Sequence, residues 1–165
     1  MGIQIDYERL YSEFLPVLLK VAMNVVHDRE TAEEICQEAF IRLFERKIPF
    51  LKEEEVRFWL VRVVKNLSLN IYRKRKNEFN AVSKLQRIHR AYSPSAEDLY
   101  TAVEDEQRFR EAVDALPDKL KEVVVLKEFG DMNYREIAKT LRISESNVKV
   151  RVFRAREKLT ELLNG

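Results

Sequence analysis

Residues 134–159, YREIAKTLRISESNVKVRVFRAREKL, decide the fold. A short helical pattern carrying Ile137 and Ala138 meets a turn at Leu141-Arg142-Ile143, and a second helical pattern opens at Ser144. The Ser144 hydroxyl is placed to accept from the N–H of Asn147, as an N-cap does. Small Ala138 lets two helices approach closely, and Ile137, Leu141, Ile143, Val148 and Val152 can fill the space between them. This is the spacing of a helix-turn-helix, whose second helix enters the major groove of DNA. In that helix Val148, Val152, Ala155 and Leu159 recur with the period of a buried face. Ser146 and Asn147 lie near its start, and Lys149, Val150, Phe153 and Arg154 lie on another face. Val150 and Phe153 are apolar where a soluble helix should be polar. They either pack on a preceding helix or touch thymine methyls and sugar edges, flanked by cations that reach guanine or phosphate.

Working outward, the C-terminal half reads as four helices: Ser95 to Leu116, Pro117 to Phe129, Asn133 to Leu141 and Ser144 to Leu163. Ser95 with Asp98, and Asn133 with Glu136, have the spacing of capping boxes, and Pro117 suits a first helical turn. The N-terminal half reads as three helices. Tyr7 to Val26 carries Leu10, Phe14, Val17, Leu18 and Val25 on one side. The second runs from an Asp28 cap to about Arg46, with Ala32, Ile35, Ala39 and Leu43 inward. Pro49 punctuates, and the third runs from about Glu54 to Arg75 with Leu60, Val63, Val64, Leu67 and Ile71 inward. A composition shift then marks a linker ending in Ser93-Pro94-Ser95, within which Ala81 to His89 could form a short helix. The expected organisation is all-α: an N-terminal domain over residues 1–78, a linker over 79–94 and a C-terminal helix-turn-helix domain over 95–165.

Composition agrees. Three glycines and four prolines in 165 residues cannot supply the turns of a many-stranded barrel or the loops that cradle phosphates. No apolar run approaches the ~18 residues of a membrane span, so membrane insertion is not expected. The first residues lack a secretory pattern, and the single cysteine, Cys36, fits a reducing interior, so a cytoplasmic protein is expected. The formal charge of +2 hides a sorting by sign. Lys65 to Arg90 carries a net +7, Glu97 to Asp118 a net −6, and Arg142 to Lys158 a net +4. Two basic stretches around an acidic one point to two contacts with a polyanion.

Two further stripes stand out. Glu34, Gln37, Glu38 and Ile41 recur along the second helix opposite its core side, and an isoleucine in such a polar stripe suits a protein interface. Along the third helix come Arg62, Lys65, Asn66, Asn70 and Arg73, continued by Lys74, Arg75 and Lys76. Arginine and lysine neutralise phosphates at any sequence, whereas asparagine can read a base edge. His27 and His89 lie far apart, and Cys36 has no His or Cys at ligand spacing. No nucleophile arrangement stands out either, so no catalysis and no cofactor are expected.

LPDKLKEVVVLKEFGDMNYREIAKTLRISESNVKVRVFRAREKL closely resembles the C-terminal promoter-binding domain of bacterial extracytoplasmic-function (ECF) sigma factors. AEEICQEAFIRLF and FWLVRVVKNLSLNIYRKRK resemble the two signature segments of that family's N-terminal domain. The matches fall in order and leave mainly the linker uncovered. One departure is Arg142, where the family often has a turn glycine. The resemblance implies a dissociable subunit that brings core RNA polymerase to promoter DNA, with an anti-sigma factor as a further partner. It places Glu34, Gln37, Glu38 and Ile41 on the clamp helices of the polymerase's large catalytic subunit. It gives minus-ten recognition to the third helix, above all to Asn66, seven residues after Trp59. It implies that the following segment, Tyr72 to Asn80, captures a flipped base with Phe79 and Asn80 in reach. Ser146, Asn147, Lys149, Val150, Phe153 and Arg154 would read the minus-thirty-five element. The competing readings are an operator-binding helix-turn-helix regulator that is not a polymerase subunit, and a nucleic-acid-processing enzyme.

Overall fold

The computed structural model describes residues 2–47, 49–83 and 101–165, with the side chains of 82, 83 and 101–103 excepted. Among the described residues all regular structure is helical. The Ser95–Asp98 capping box, most of the expected linker and the basic residues Lys84, Arg87 and Arg90 lie outside them.

The N-terminal domain is a three-helix unit. Helix α1 (Tyr7–Val26) is capped by Asp6, whose side chain accepts from the Arg9 N–H at 3.1 Å, and it ends at His27 in the left-handed region. Helix α2 (Arg29–Glu45) begins after Asp28, whose carboxylate accepts from the Thr31 hydroxyl rather than capping the backbone. Helix α3 spans Glu53–Ser83. Leu10, Phe14, Leu18 and Val21 meet Ala32, Ile35, Ala39 and Leu43 of α2 and Val56, Leu60 and Val64 of α3 in one core. The small residues Ala32, Cys36 and Ala39 let α2 lie close, each without any exposed surface. Burial pushes the Cys36 thiol up to about 12, so it stays protonated and inert.

The C-terminal domain contains α4 (Thr101–Asp114), α5 (Asp118–Val124), α6 (Tyr134–Leu141) and α7 (Glu145–Asn164). The α5 helix runs on into a π-helical turn at Val125–Phe129, closed by the Gly130 N–H donating to the Val125 carbonyl at 3.0 Å. Pro117 stands at the N-cap of α5, one position before the expected first turn, and its carbonyl accepts from Leu120 and Lys121. Ala112, Val113 and Leu116 pack on Val124, Ala155 and Leu159, which ties α4 to α5 and α7.

The domains pack against each other. Val123, Val125, Leu126, Phe129 and Met132 belong to the same continuous apolar cluster as Leu18, Val21, Val61 and Val64. A Cβ on Gly130 would stand 2.8 Å from the Leu126 carbonyl oxygen of its own turn and 3.2 Å from Val61 Cγ1 of α3, so glycine suits both the turn and the packing on α3. Polar contacts ring this patch: His27 Nε2 with Asp114 Oδ2 at 2.9 Å, Arg73 Nε with Asp118 Oδ2 at 3.1 Å, and Lys65 Nζ with Glu122 Oε1 at 3.1 Å.

The helix-turn-helix has local causes throughout. Asn133 and Glu136 form the reciprocal capping box, with both bonds at 2.9 Å. Arg142 takes φ 57° and ψ 46°, ending α6 in the left-handed region, and the Ile143 N–H donates to the Ala138 carbonyl at 3.1 Å. Ser144 then caps α7 by accepting from the Asn147 N–H at 3.0 Å. An arginine at positive φ carries a Cβ clash that glycine lacks. Arg142→Gly is therefore expected to stabilise the protein by about 1 kcal/mol, read as a higher melting temperature. An unchanged or lower melting temperature would show that the turn carries no such strain.

Candidate nucleic-acid and polymerase interfaces

The α7 helix presents two faces. Ile137 and Ala138 of α6 cover Val148 and Val152, while Ala155 and Leu159 turn to α4. Ser146, Asn147, Lys149, Val150, Phe153 and Arg154 are all exposed. Val150 is 46% and Phe153 63% exposed, so neither is buried against the described part of α4. Such a row offers apolar surface suited to thymine methyls, beside cations suited to guanine or phosphate. Arg151, one turn from Asn147, donates from Nε to the Asn147 Oδ1 at 3.2 Å and braces that amide.

On α3 the structure separates the candidates. Asn66 and Asn70 are exposed, with half-exposed Arg62 and Arg73 on the same side of the helix. Lys74 and Lys76 are exposed further along. Lys65 is not part of this row: it is 3% exposed and held by Glu122. Burial lowers its pKa, and the Glu122 carboxylate opposes that shift. Arg75 turns back to α2, donating to the Thr31 hydroxyl at 2.7 Å with Asp28 at 3.7 Å.

The Tyr72–Asn80 segment requires a correction. The family resemblance makes this segment a base-capturing loop after the third helix, but α3 continues through it to Ser83. No Gly or Pro interrupts residues 53–83, so the backbone bonds that a loop would surrender are kept. A concavity lies instead at the other end of α3. It measures about 480 Å³ and is lined by Arg46, Phe50, Leu51, Phe58, Trp59 and Arg62, with Lys139 and Thr140 of α6 at its wall. The Arg46 guanidinium sits 4.1 Å from the Phe50 ring centre, and Phe50 meets Trp59 edge-on at 6.0 Å. Sequence periodicity gave no sign of it, because its residues come from a loop and two helices.

The α2 stripe is exposed as expected. Glu34, Gln37 and Glu38 flank Ile41, itself 51% exposed, and Glu38 pairs with Arg42 at 3.0 Å. Beside it stands an aromatic group that the sequence reading missed. Phe44 is 71% exposed and meets Tyr7 with ring centres 5.3 Å apart, and Tyr11 meets Phe40 at 4.8 Å. Tyr7 and Tyr11 lie one helix away, so spacing along α2 alone could not reveal them. Among the described residues no cluster of metal-ligating side chains occurs and no helix is long and apolar enough to cross a membrane.

Among the described residues the protein is all-helical, with two domains, a helix-turn-helix whose second helix exposes Lys149, Val150, Phe153 and Arg154, and a basic, asparagine-bearing α3. Residues 10–78 match the family model for sigma-70 region 2, and residues 106–159 that for sigma-70 region 4. The chain belongs to the sigma-70 family, in its ECF branch. It is 29% identical to the ECF RNA polymerase sigma factor SigW of Bacillus subtilis, covering 96% of this chain and 87% of that one. It is 27% identical to SigM of the same organism, over 95% and 94% of the two chains. The fold superposes on the sigma factor RpoE of Bartonella quintana, solved with the anti-sigma factor NepR, with a TM-score of 0.67. That match has 21% identity and covers 96% of this chain and 97% of that one. CnrH, solved with the cytosolic domain of CnrY, gives a TM-score of 0.65 at 23% identity, over 96% and 87%.

Proposed function

We propose that this chain is a dissociable transcription initiation subunit that carries core RNA polymerase to particular promoters. It works in the cytoplasm, under an anti-sigma factor, and performs no catalytic step itself. The observation that supports this reading is that one chain carries two separate polar and basic faces suited to DNA, exposed Asn66 and Asn70 with half-exposed Arg62 and Arg73 on α3, and exposed Lys149, Val150, Phe153 and Arg154 on α7. The N-terminal domain, residues 1–78, reads and helps open the minus-ten element, and the C-terminal domain, residues 95–165, reads duplex DNA at minus-thirty-five. Each face is small, and polymerase supplies affinity by holding both at fixed separation. The concavity beside Trp59 and Arg62 offers rings and a guanidinium on which an unstacked base can lie. An operator-binding regulator has no use for the polar stripe on α2 with its exposed Ile41.

Two substitutions test the N-terminal assignments. The Glu38→Lys/Ile41→Asp double variant is expected to bind core polymerase at least tenfold more weakly, about 1.4 kcal/mol, and to melt like the parent. Equal polymerase affinity from a folded double variant would remove the α2 stripe from the interface. Asn66→Ala is expected to cost ~1–3 kcal/mol of discrimination at the minus-ten element. It should lower polymerase binding much less. Equal losses on consensus and altered minus-ten sequences would show that Asn66 reads nothing.

A further inference from the structure

A row of exposed cations runs along the first helix of the helix-turn-helix. Arg135 and Lys139 stand four residues apart on α6, and Arg142, three residues further, is its C-cap. Arg135 and Lys139 are the only exposed side chains of α6, and Arg142 is exposed beside them. Among the described residues none of the three has an ion pair or a side-chain hydrogen bond. The carboxylates within and just before α6 are committed elsewhere: Glu136 closes the capping box with Asn133, and Asp131 meets Lys20 at 3.9 Å. Other cations of this domain are tied down, Arg110 to Glu106 at 2.8 Å and Lys158 to Glu161 at 3.4 Å. The row costs the free chain stability twice. Like charges three and four residues apart on a helix repel. Arg142 also holds φ 57°, where its Cβ clashes and a glycine would not. The macrodipole favours a cation at this end of α6, but Lys139 already supplies one in the last turn, and the cap itself needs only a glycine.

We infer that Arg135, Lys139 and Arg142 form a phosphate-binding ridge that fixes the register of α7 on promoter DNA. This rests on the proposed reading of the minus-thirty-five element by α7. A protein surface is a poor match for the row, because no large apolar side chain is exposed on α6 to accompany it. A line of phosphates is a good match: it turns the mutual repulsion into attraction, and binding releases counterions from the DNA. The placement fits as well. Arg142 stands two residues before Ser144, the cap of α7, and Ser146 and Asn147 of the reading face follow directly. The turn thus carries a cation up to the start of that face. Phosphate contacts position a protein and carry no sequence information, so the ridge supplies affinity and register while the Lys149–Arg154 face supplies selectivity. Arg142 stands where the family often has a turn glycine, so this chain lengthens the ridge by one cation at the expense of the turn.

The test measures holoenzyme binding to promoter duplex at several salt concentrations, with thermal melts of the free chain as the folding control. Arg142→Gly should melt above the parent and yet lower the salt slope by about one. Arg135→Ala/Lys139→Ala/Arg142→Gly should lower the slope by about three and weaken binding ~10-fold or more. Its preference among minus-thirty-five sequences should equal the parent's. Arg142→Lys, which keeps the charge, should keep the parent's slope. A folded triple variant with the parent's slope overturns the ridge. So does a triple variant that assembles less holoenzyme at unchanged slope, which assigns the row to an acidic protein surface instead. Failure of α7 as the reader shows separately, as a minus-thirty-five preference left intact in Lys149→Ala/Arg154→Ala holoenzyme, and it overturns the register role of the ridge with it.

Discussion

Val148→Asp is expected to destabilise the C-terminal domain by about 4 kcal/mol, enough to unfold much of it at physiological temperature. Val148 is wholly buried between α6 and α7, against Ile137 and Ala138. A carboxylate there would be ionised with no cation in reach or would bind a proton at the expense of folding, and either form leaves a polar group in an apolar seam. Two residues along the same helix, Val150→Asp changes an exposed side chain and should shift stability by no more than about 0.5 kcal/mol. The pair of thermal melts is therefore diagnostic. Equal melting of the two variants would mean that α7 is rotated from the orientation described. Val150→Asp should nonetheless weaken promoter binding, since it sets a negative charge among Lys149, Phe153 and Arg154.

Lys149→Ala/Arg154→Ala is expected to show the second large effect, on DNA rather than on folding. Both side chains are exposed, so the double variant should melt like the parent. A lost guanine contact costs ~1–3 kcal/mol and relaxes preference at one base pair. A lost phosphate contact weakens all sequences alike and lowers the salt slope by about one. Holoenzyme binding to minus-thirty-five variants at several salt concentrations separates the two for each residue. The combined loss should be on the order of a hundredfold, about 2.7 kcal/mol. Untouched affinity, preference and salt slope in the folded variant would remove this face of α7 from the groove.

The helix-turn-helix was legible in the sequence because its determinants are local. Asn133, Glu136 and Ser144 cap within their own turns, and the Val148/Val152/Ala155/Leu159 period needs only one helix to state it. The start and end of α1 were legible for the same reason. The α3 helix was legible on one side only. Leu60 and Val64 follow the period of its own domain's core, but Val61, Lys65 and Leu69 are buried as well. Val61 meets Gly130 and Lys65 meets Glu122, both from the C-terminal domain, far along the chain. No one-helix pattern carries that information, and a lysine in a basic run reads as solvated. The loop expected over Tyr72 to Asn80 differs for another reason: that expectation came from the family, while no Gly or Pro breaks the helix along the stretch. The π-helical turn at Val125–Phe129 also escaped notice, since VVVLKEF fits an α-helical period equally well. It ends at Gly130, where a Cβ would crowd the Leu126 carbonyl of the turn first and Val61 of α3 second.

The most direct test of the central claim is promoter-specific initiation in a purified system. Core RNA polymerase free of any other initiation subunit is given this chain and a pool of promoter-bearing DNA, and transcript start sites are mapped. The expected result is initiation from a small set of templates sharing a minus-thirty-five and a minus-ten element, lost with Lys149→Ala/Arg154→Ala and with Glu38→Lys/Ile41→Asp. Binding of the chain to duplex DNA without polymerase, together with no initiation when the two are combined, would contradict the account and identify an operator-binding regulator instead.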